Sequence, residues 1–160
     1  MKNFIELIRG CLQDVREIMP WDLAERRQEN PDLLIVDVRE PHEFAAMHIA
    51  GSLSVPRGIL ESACEWEYEE TVPELVRARQ RELVVVCRSG YRSVLAANAL
   101  LILGFSDVAS LRTGLRGWKD DERPLVDAAG AAVDLDAADL YFSPQLRADQ
   151  MRPKDWCRAP

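Results

Sequence analysis

Leu83-Val84-Val85-Val86-Cys87-Arg88-Ser89-Gly90-Tyr91-Arg92-Ser93 is the stretch that decides both the fold and the chemistry. Its apolar, β-branched first part reads as a buried parallel strand. That strand stops at a single cysteine in a short polar loop. The apolar segment Val94 to Leu103 follows at once as a helix, with Gly104 as its stop. A loop leading into a helix N-terminus surrounds the sulfur with oriented amide N–H groups, which favour an anion. Arg88 and Arg92 add positive charge. Such surroundings favour the thiolate, the nucleophilic form of cysteine. Cys87 is therefore the candidate catalytic residue, expected at the loop mouth and open to solvent. Arg88, Ser89, Gly90, Tyr91, Arg92 and Ser93 are the candidate cradle for a bound anion. Gly90 permits positive φ and a close backbone approach. Ser93 is a candidate helix N-cap, and the two arginines are candidate charge-assisted donors.

Outward from this stretch, strands alternate with helices. Residues 1–13 read as an amphipathic helix, with Phe4, Ile8, Cys11 and Val15 on one face. Val15 to Met19 reads as a short edge strand, and Pro20 opens a helix. Leu33 to Val38 is a second buried strand, Glu40 to Met47 a short helix, and Ile49 to Val55 a turn leading into a further strand. Residues 59–82 are expected to be mostly helical, broken near Pro73. Val108 to Leu111 is the last strand, and Gly114 to Lys119 a turn or short helix. This order calls for an α/β fold: a central, mostly parallel five-stranded sheet with helices on both faces. Ligand crevices in such sheets lie beyond the carboxyl ends of the strands, where Cys87 sits.

Composition narrows the classes. A chain of 160 residues has room for one domain and an extension. The expected division is an N-terminal helix over 1–14, the main domain over 15–129, and a C-terminal extension of unknown role over 130–160. A net charge of −7 argues against nucleic acid as a partner. No apolar stretch reaches the roughly 18 residues that would cross a bilayer, so no membrane partner is expected. Glu6 and Arg9 interrupt what would be the apolar core of a secretory signal. Cys11, Cys64, Cys87 and Cys157 are scattered without a CxxC, so neither zinc nor any other metal is expected. Disulfides are not needed at this size, and the expected compartment is the reducing cytoplasm.

At this point the residues resemble those of the single-domain rhodanese (thiosulfate sulfurtransferase) family, over roughly residues 15–125. Three motifs carry the likeness: Asp37-Val38-Arg39-Glu40 with Phe44, His48-Ile49 and Gly51-Ser52; the loop Cys87 to Ser93; and Gly114 with Gly117-Trp118. Ala50 stands where the family often has proline, and Leu115 where a second glycine is common; both departures concern turn shape. The resemblance implies a rhodanese-like fold and a double displacement without a cofactor. Cys87 takes the outer sulfur of a small anionic donor such as thiosulfate, or of a persulfide, and passes it from a persulfide to cyanide or a thiol. A sulfur-carrier protein is a further candidate acceptor.

Two competing readings stand beside it. One is a non-catalytic rhodanese-like binding module that uses the extension for docking. The other is a cysteine-based phosphatase or arsenate reductase, which needs an arginine six residues after the cysteine. Here that position is Ser93, and the arginine comes one residue early, at Arg92. Asp37 and Arg39 are candidates for reaching the crevice, the alternative being an ion pair that ties loops together. His48 reads as structural rather than as a general base, and Trp118 as core or crevice wall. Glu65, Glu67, Glu69 and Glu70 read as a solvated face. Cys11 and Cys64 read as buried thiols, and Cys157, beside Trp156, as a terminal thiol or a second sulfur relay.

Overall fold

The computed structural model describes residues 2–153, so Trp156 and Cys157 lie outside the described residues. Five strands form the sheet: β1 (Arg16–Ile18), β2 (Leu34–Asp37), β3 (Leu53–Ser54), β4 (Glu82–Val86) and β5 (Asp107–Leu111). Their order is β1-β5-β4-β2-β3, and every pairing is parallel. The apolar run Leu83 to Val86 forms most of β4, the central strand of the sheet, where cover on both faces lets successive side chains be buried. Alternation then sorts those side chains. Leu83, Val85 and Cys87 join one core with Leu34, Val36, Ala97 and Leu100. Val84 and Val86 join the other with Ile35, Leu111, Leu115, Trp118 and Phe142. Each fully buried aliphatic side chain contributes roughly 1.5–3 kcal/mol.

Helices cover both faces. On the Cys87 face lie α1 (Phe4–Cys11), α4 (Leu60–Ala63), α5 (Pro73–Arg77) and α6 (Tyr91–Ile102). On the other lie α2 (Pro20–Glu29), α7 (Gly114–Asp120) and α8 (Leu135–Phe142), while α3 (Pro41–Ala46) follows β2. Among the described residues no helix is long and apolar enough to cross a membrane.

Three local expectations are corrected. Residues 59–82 are not mostly helical: only α4 and α5 form, joined by an irregular segment. Glu67 there takes a φ of 71°, and the Thr71 hydroxyl donates to the Glu65 carbonyl while accepting from the Tyr68 amide. Such side-chain bonds to the backbone compete with helix formation. The helix after the cysteine begins at Tyr91, earlier than its apolar run suggests, because the polar residues 91–93 already form its first turn. Its N-cap is Gly90 rather than Ser93.

Candidate active site

The carboxyl ends of β2 and β4 are level, since Asp37 pairs with Val86. Cys87 follows immediately. Its Sγ accepts from the amides of Gly90 at 3.2 Å and Ser93 at 3.3 Å, and lies 3.4 Å from the Ser93 hydroxyl. Gly90 turns the chain with a φ of 94°, and a Cβ there would meet the Thr113 amide nitrogen at 3.2 Å. The Ser93 hydroxyl donates to the Gly90 carbonyl and accepts from Ser110, which pins the first turn of α6 beneath the sulfur. From outside, the start of α7 grips the same loop. The Leu115 and Arg116 amides donate to the carbonyls of Cys87 and Arg88 at 2.8 and 3.1 Å. One loop thus has its amides turned to the sulfur and its carbonyls tied outward.

Cys87 is 1% exposed, so the sulfur sits at the base of the loop and not at its mouth as the sequence suggested. Alternation along β4 is the reason: it aims Cys87 at the α6 core, where the loop folds over it. In the same loop Ser89, Tyr91 and Arg92 all retain exposed surface.

The predicted cradle residues divide by position. The amides of Gly90 and Ser93 face the sulfur, and Ser89 is half-buried. Tyr91 sets its ring edge-on to Phe4 of α1, with centroids 5.6 Å apart. Arg92 makes a two-pronged ion pair with Glu43 at 2.6 and 2.8 Å. Arg88, expected to face the anion, instead donates to the carbonyls of Tyr141 and Ser143 at the end of α8. Asp37 and Arg39 have no exposed surface and are joined by an ion pair at 2.7 Å, with Arg39 also donating to the Met47 carbonyl. His48 pairs through Nδ1 with the Phe44 carbonyl and stacks on the Phe44 ring, a structural arrangement. Burial pushes the Cys64 thiol up to about 11. A thiol held in its neutral form is a poor nucleophile.

Local reading of the sequence missed Glu43 and Ser110. Glu43 is 9% exposed, and burial pushes its carboxyl up. The Arg92 hydrogen bonds, the Glu40 amide and the charges of Arg92 and Arg39 outweigh burial and hold it below its usual 4.5. The pair's contribution to stability is thus complete above pH 4.5 and is lost as pH falls through the lower folded value. Glu43→Gln is expected to cost roughly 1–3 kcal/mol at neutral pH, because it leaves the half-buried Arg92 without its counter-charge. Urea unfolding checks this: the gap between wild type and variant should close as pH drops below 4.5.

A sequence model of the rhodanese-like domain matches residues 20–121. The chain belongs to the rhodanese-like family. Its relatives include a sulfurtransferase of Allochromatium vinosum, 31% identical over 116 residues, which span 72% of this chain and 99% of the relative. The thiosulfate sulfurtransferase GlpE of Stutzerimonas stutzeri is 32% identical over 110 residues, spanning 68% and 88%. Among solved structures, a protein from Rhodopseudomonas palustris described as a "possible tyrosine phosphatase" superposes with a TM-score of 0.70 at 25% identity. That match covers 78% of this chain and 94% of the other. Human single-domain sulfurtransferase TSTD1 superposes with a TM-score of 0.57 at 25% identity, covering 66% and 96%. The five-stranded sheet and its flanking helices are the architecture of this family.

Proposed function

We propose that this rhodanese-like chain is a sulfurtransferase that carries sulfane sulfur on Cys87. The observation behind the reading is the pair of amides, Gly90 and Ser93, aimed at Cys87 Sγ. Two oriented N–H groups stabilise an anionic sulfur, whether thiolate or terminal persulfide. The kinship with sulfurtransferases points the same way.

With thiosulfate as donor, the Cys87 thiolate attacks the outer sulfur. A new S–S bond forms at Cys87, the S–S bond of the donor breaks, and sulfite leaves with its electron pair. With a persulfide donor the same attack releases a thiolate. In the second half, cyanide or an acceptor thiolate attacks the terminal sulfur and returns the Cys87 thiolate. A sulfur-carrier protein fits the acceptor role on the same chemistry, and the reducing cytoplasm is the compartment in which a free thiolate persists. No step calls for a metal or an organic cofactor.

A phosphatase reading draws on the Rhodopseudomonas palustris neighbour. It meets an obstacle in the loop. Six residues after the cysteine stands Ser93, whose hydroxyl is taken up by Gly90 and Ser110. The adjacent Arg92 is held by Glu43. Neither presents the free guanidinium that a phosphoryl group needs.

Intact-mass spectrometry tests the proposal. After incubation with thiosulfate or a small-molecule persulfide, the protein should gain the mass of one sulfur atom and lose it again on addition of cyanide. No gain from any donor, together with hydrolysis of an aryl phosphate, would overturn the assignment.

A further inference from the structure

We infer that Glu43 sets the charge of donor that the Cys87 pocket accepts. By neutralising Arg92 it turns the site away from a dianion such as thiosulfate and toward a singly charged or neutral donor such as an organic persulfide. The donor class rests on the sulfurtransferase reading, while the charge at the sulfur does not.

The ion pair stands where β2 and β4 deliver the chain side by side. Asp37 is level with Val86, so α3, which carries Glu43, starts beside the loop that carries Cys87. Arg92 belongs to the first turn of α6, next to Ser93, whose amide lies 3.3 Å from Cys87 Sγ. Glu43 is buried, and both of its oxygens are engaged. Oε1 accepts from Arg92 Nη2 at 2.8 Å, and Oε2 from Arg92 Nη1 at 2.6 Å and from the Glu40 amide at 3.1 Å. Such a fork fixes the guanidinium in place as well as cancelling its charge. The Glu43 hydrogen bonds raise the Arg92 pKa; burial opposes them, and the charges of Glu43, Cys87 and Glu40 add to the rise. The guanidinium and the sulfur are thus within electrostatic reach of each other.

The other arginines that follow β2 and β4 are held as well. Arg39 is paired with Asp37, and Arg88 donates to the carbonyls of Tyr141 and Ser143. The Gly90 and Ser93 amides are the groups aimed at the sulfur, and two amides suit a single negative charge. Thiosulfate brings two charges and sheds sulfite, again a dianion, when Cys87 takes its outer sulfur. Its second charge calls for a cation. A persulfide that hands over the same sulfur sheds a thiolate with one charge. Glu43 acts through Arg92 and is a positioning residue.

Thiosulfate and methanethiosulfonate test this, because they share the reacting sulfur and differ by a methyl group in place of one anionic oxygen. The Cys87 thiolate attacks the outer sulfur of either, and sulfite or methanesulfinate leaves with the electron pair. In Glu43→Gln the preference for thiosulfate, as the ratio of the two kcat/KM values, should rise roughly fivefold, mainly through a lower KM, and less so in high salt. Taking the ratio within one variant removes any loss of folded protein. In Glu43→Gln/Arg92→Gln the ratio should return to the wild-type value, since no unpaired charge remains. Glu29→Gln, which removes a negative charge beside Glu82 at the amino end of β4, should leave the ratio unchanged. Alkylation of Cys87 by anionic iodoacetate and by neutral iodoacetamide, located by peptide mass spectrometry, reads the same charge without sulfur transfer. Glu43→Gln should raise the rate ratio of anionic to neutral reagent about threefold, and the double variant should reverse it. Unchanged ratios in Glu43→Gln, a double variant as selective as the single one, or a Cys87 that neither reagent labels would overturn the inference. A wild-type chain that takes sulfur from no donor sinks the sulfurtransferase reading and the donor class with it, and the alkylation ratio still decides whether Glu43 sets the charge at the sulfur.

Discussion

Cys87→Ser is expected to lose sulfur transfer by at least about a thousandfold while leaving the fold intact, since under the proposed mechanism it removes the group that carries the sulfur. Serine is nearly the same size, and its hydroxyl can accept from the Gly90 and Ser93 amides that now serve Sγ. Stability should therefore change by less than about 1 kcal/mol. Chemistry suffers far more, because a neutral hydroxyl is a poor nucleophile and cannot hold sulfane sulfur in a labile S–S bond. Steady-state cyanolysis with thiosulfate, run beside thermal unfolding, checks both halves. Residual turnover near the wild-type level would place the sulfur carrier elsewhere.

Gly114→Ala is the second large effect, and it acts on the same loop from outside. A Cβ at Gly114 would lie 2.4 Å from the Cys87 carbonyl oxygen, 2.6 Å from the Ser89 nitrogen and 2.7 Å from the Arg88 carbonyl carbon. All three atoms are backbone, so no flexible side chain can yield. The residue also has a φ of 60°, a left-handed conformation that costs an L-residue roughly 1–2 kcal/mol. Overpacking adds about 1–3 kcal/mol. The sum predicts a loss of roughly 2–5 kcal/mol and a displaced Cys87 loop. Gly104→Ala is the control, with a φ of 86° and nothing within 4 Å, so it should cost only the left-handed conformation. Equal melting temperatures for the two variants would sink the idea that a glycine is required at position 114 for the Cys87 loop to pass. Sulfur transfer should fall in Gly114→Ala beyond the stability loss, because the Leu115 amide can no longer hold the Cys87 carbonyl at 2.8 Å.

Much of the frame was legible because its signals are local. The apolar run of β4 announces a central strand, and Gly90 announces a turn with positive φ. The order of strands and helices leads to the parallel sheet, and the three motifs lead to the family. Helical content between residues 59 and 82 was overestimated because Thr71 and Glu67 support an irregular path that periodicity does not report. Nor did the glutamate opposite Arg92 carry any sequence mark distinguishing it from the chain's other carboxylates.

By itself the sequence determined that an amide-lined loop after a buried strand would carry Cys87, since each of those features is written within a dozen consecutive residues. Tertiary structure alone decided how deep the sulfur lies and where the loop's two positive charges go. Arg92 is spent on Glu43, which is 49 positions away, and Arg88 on the end of α8, 53 and 55 positions away. The reason is physical. Backbone conformation and amide direction follow from neighbours along the chain, whereas an ion pair forms wherever folding brings opposite charges within about 4 Å, and only the packed sheet and its helices set that distance.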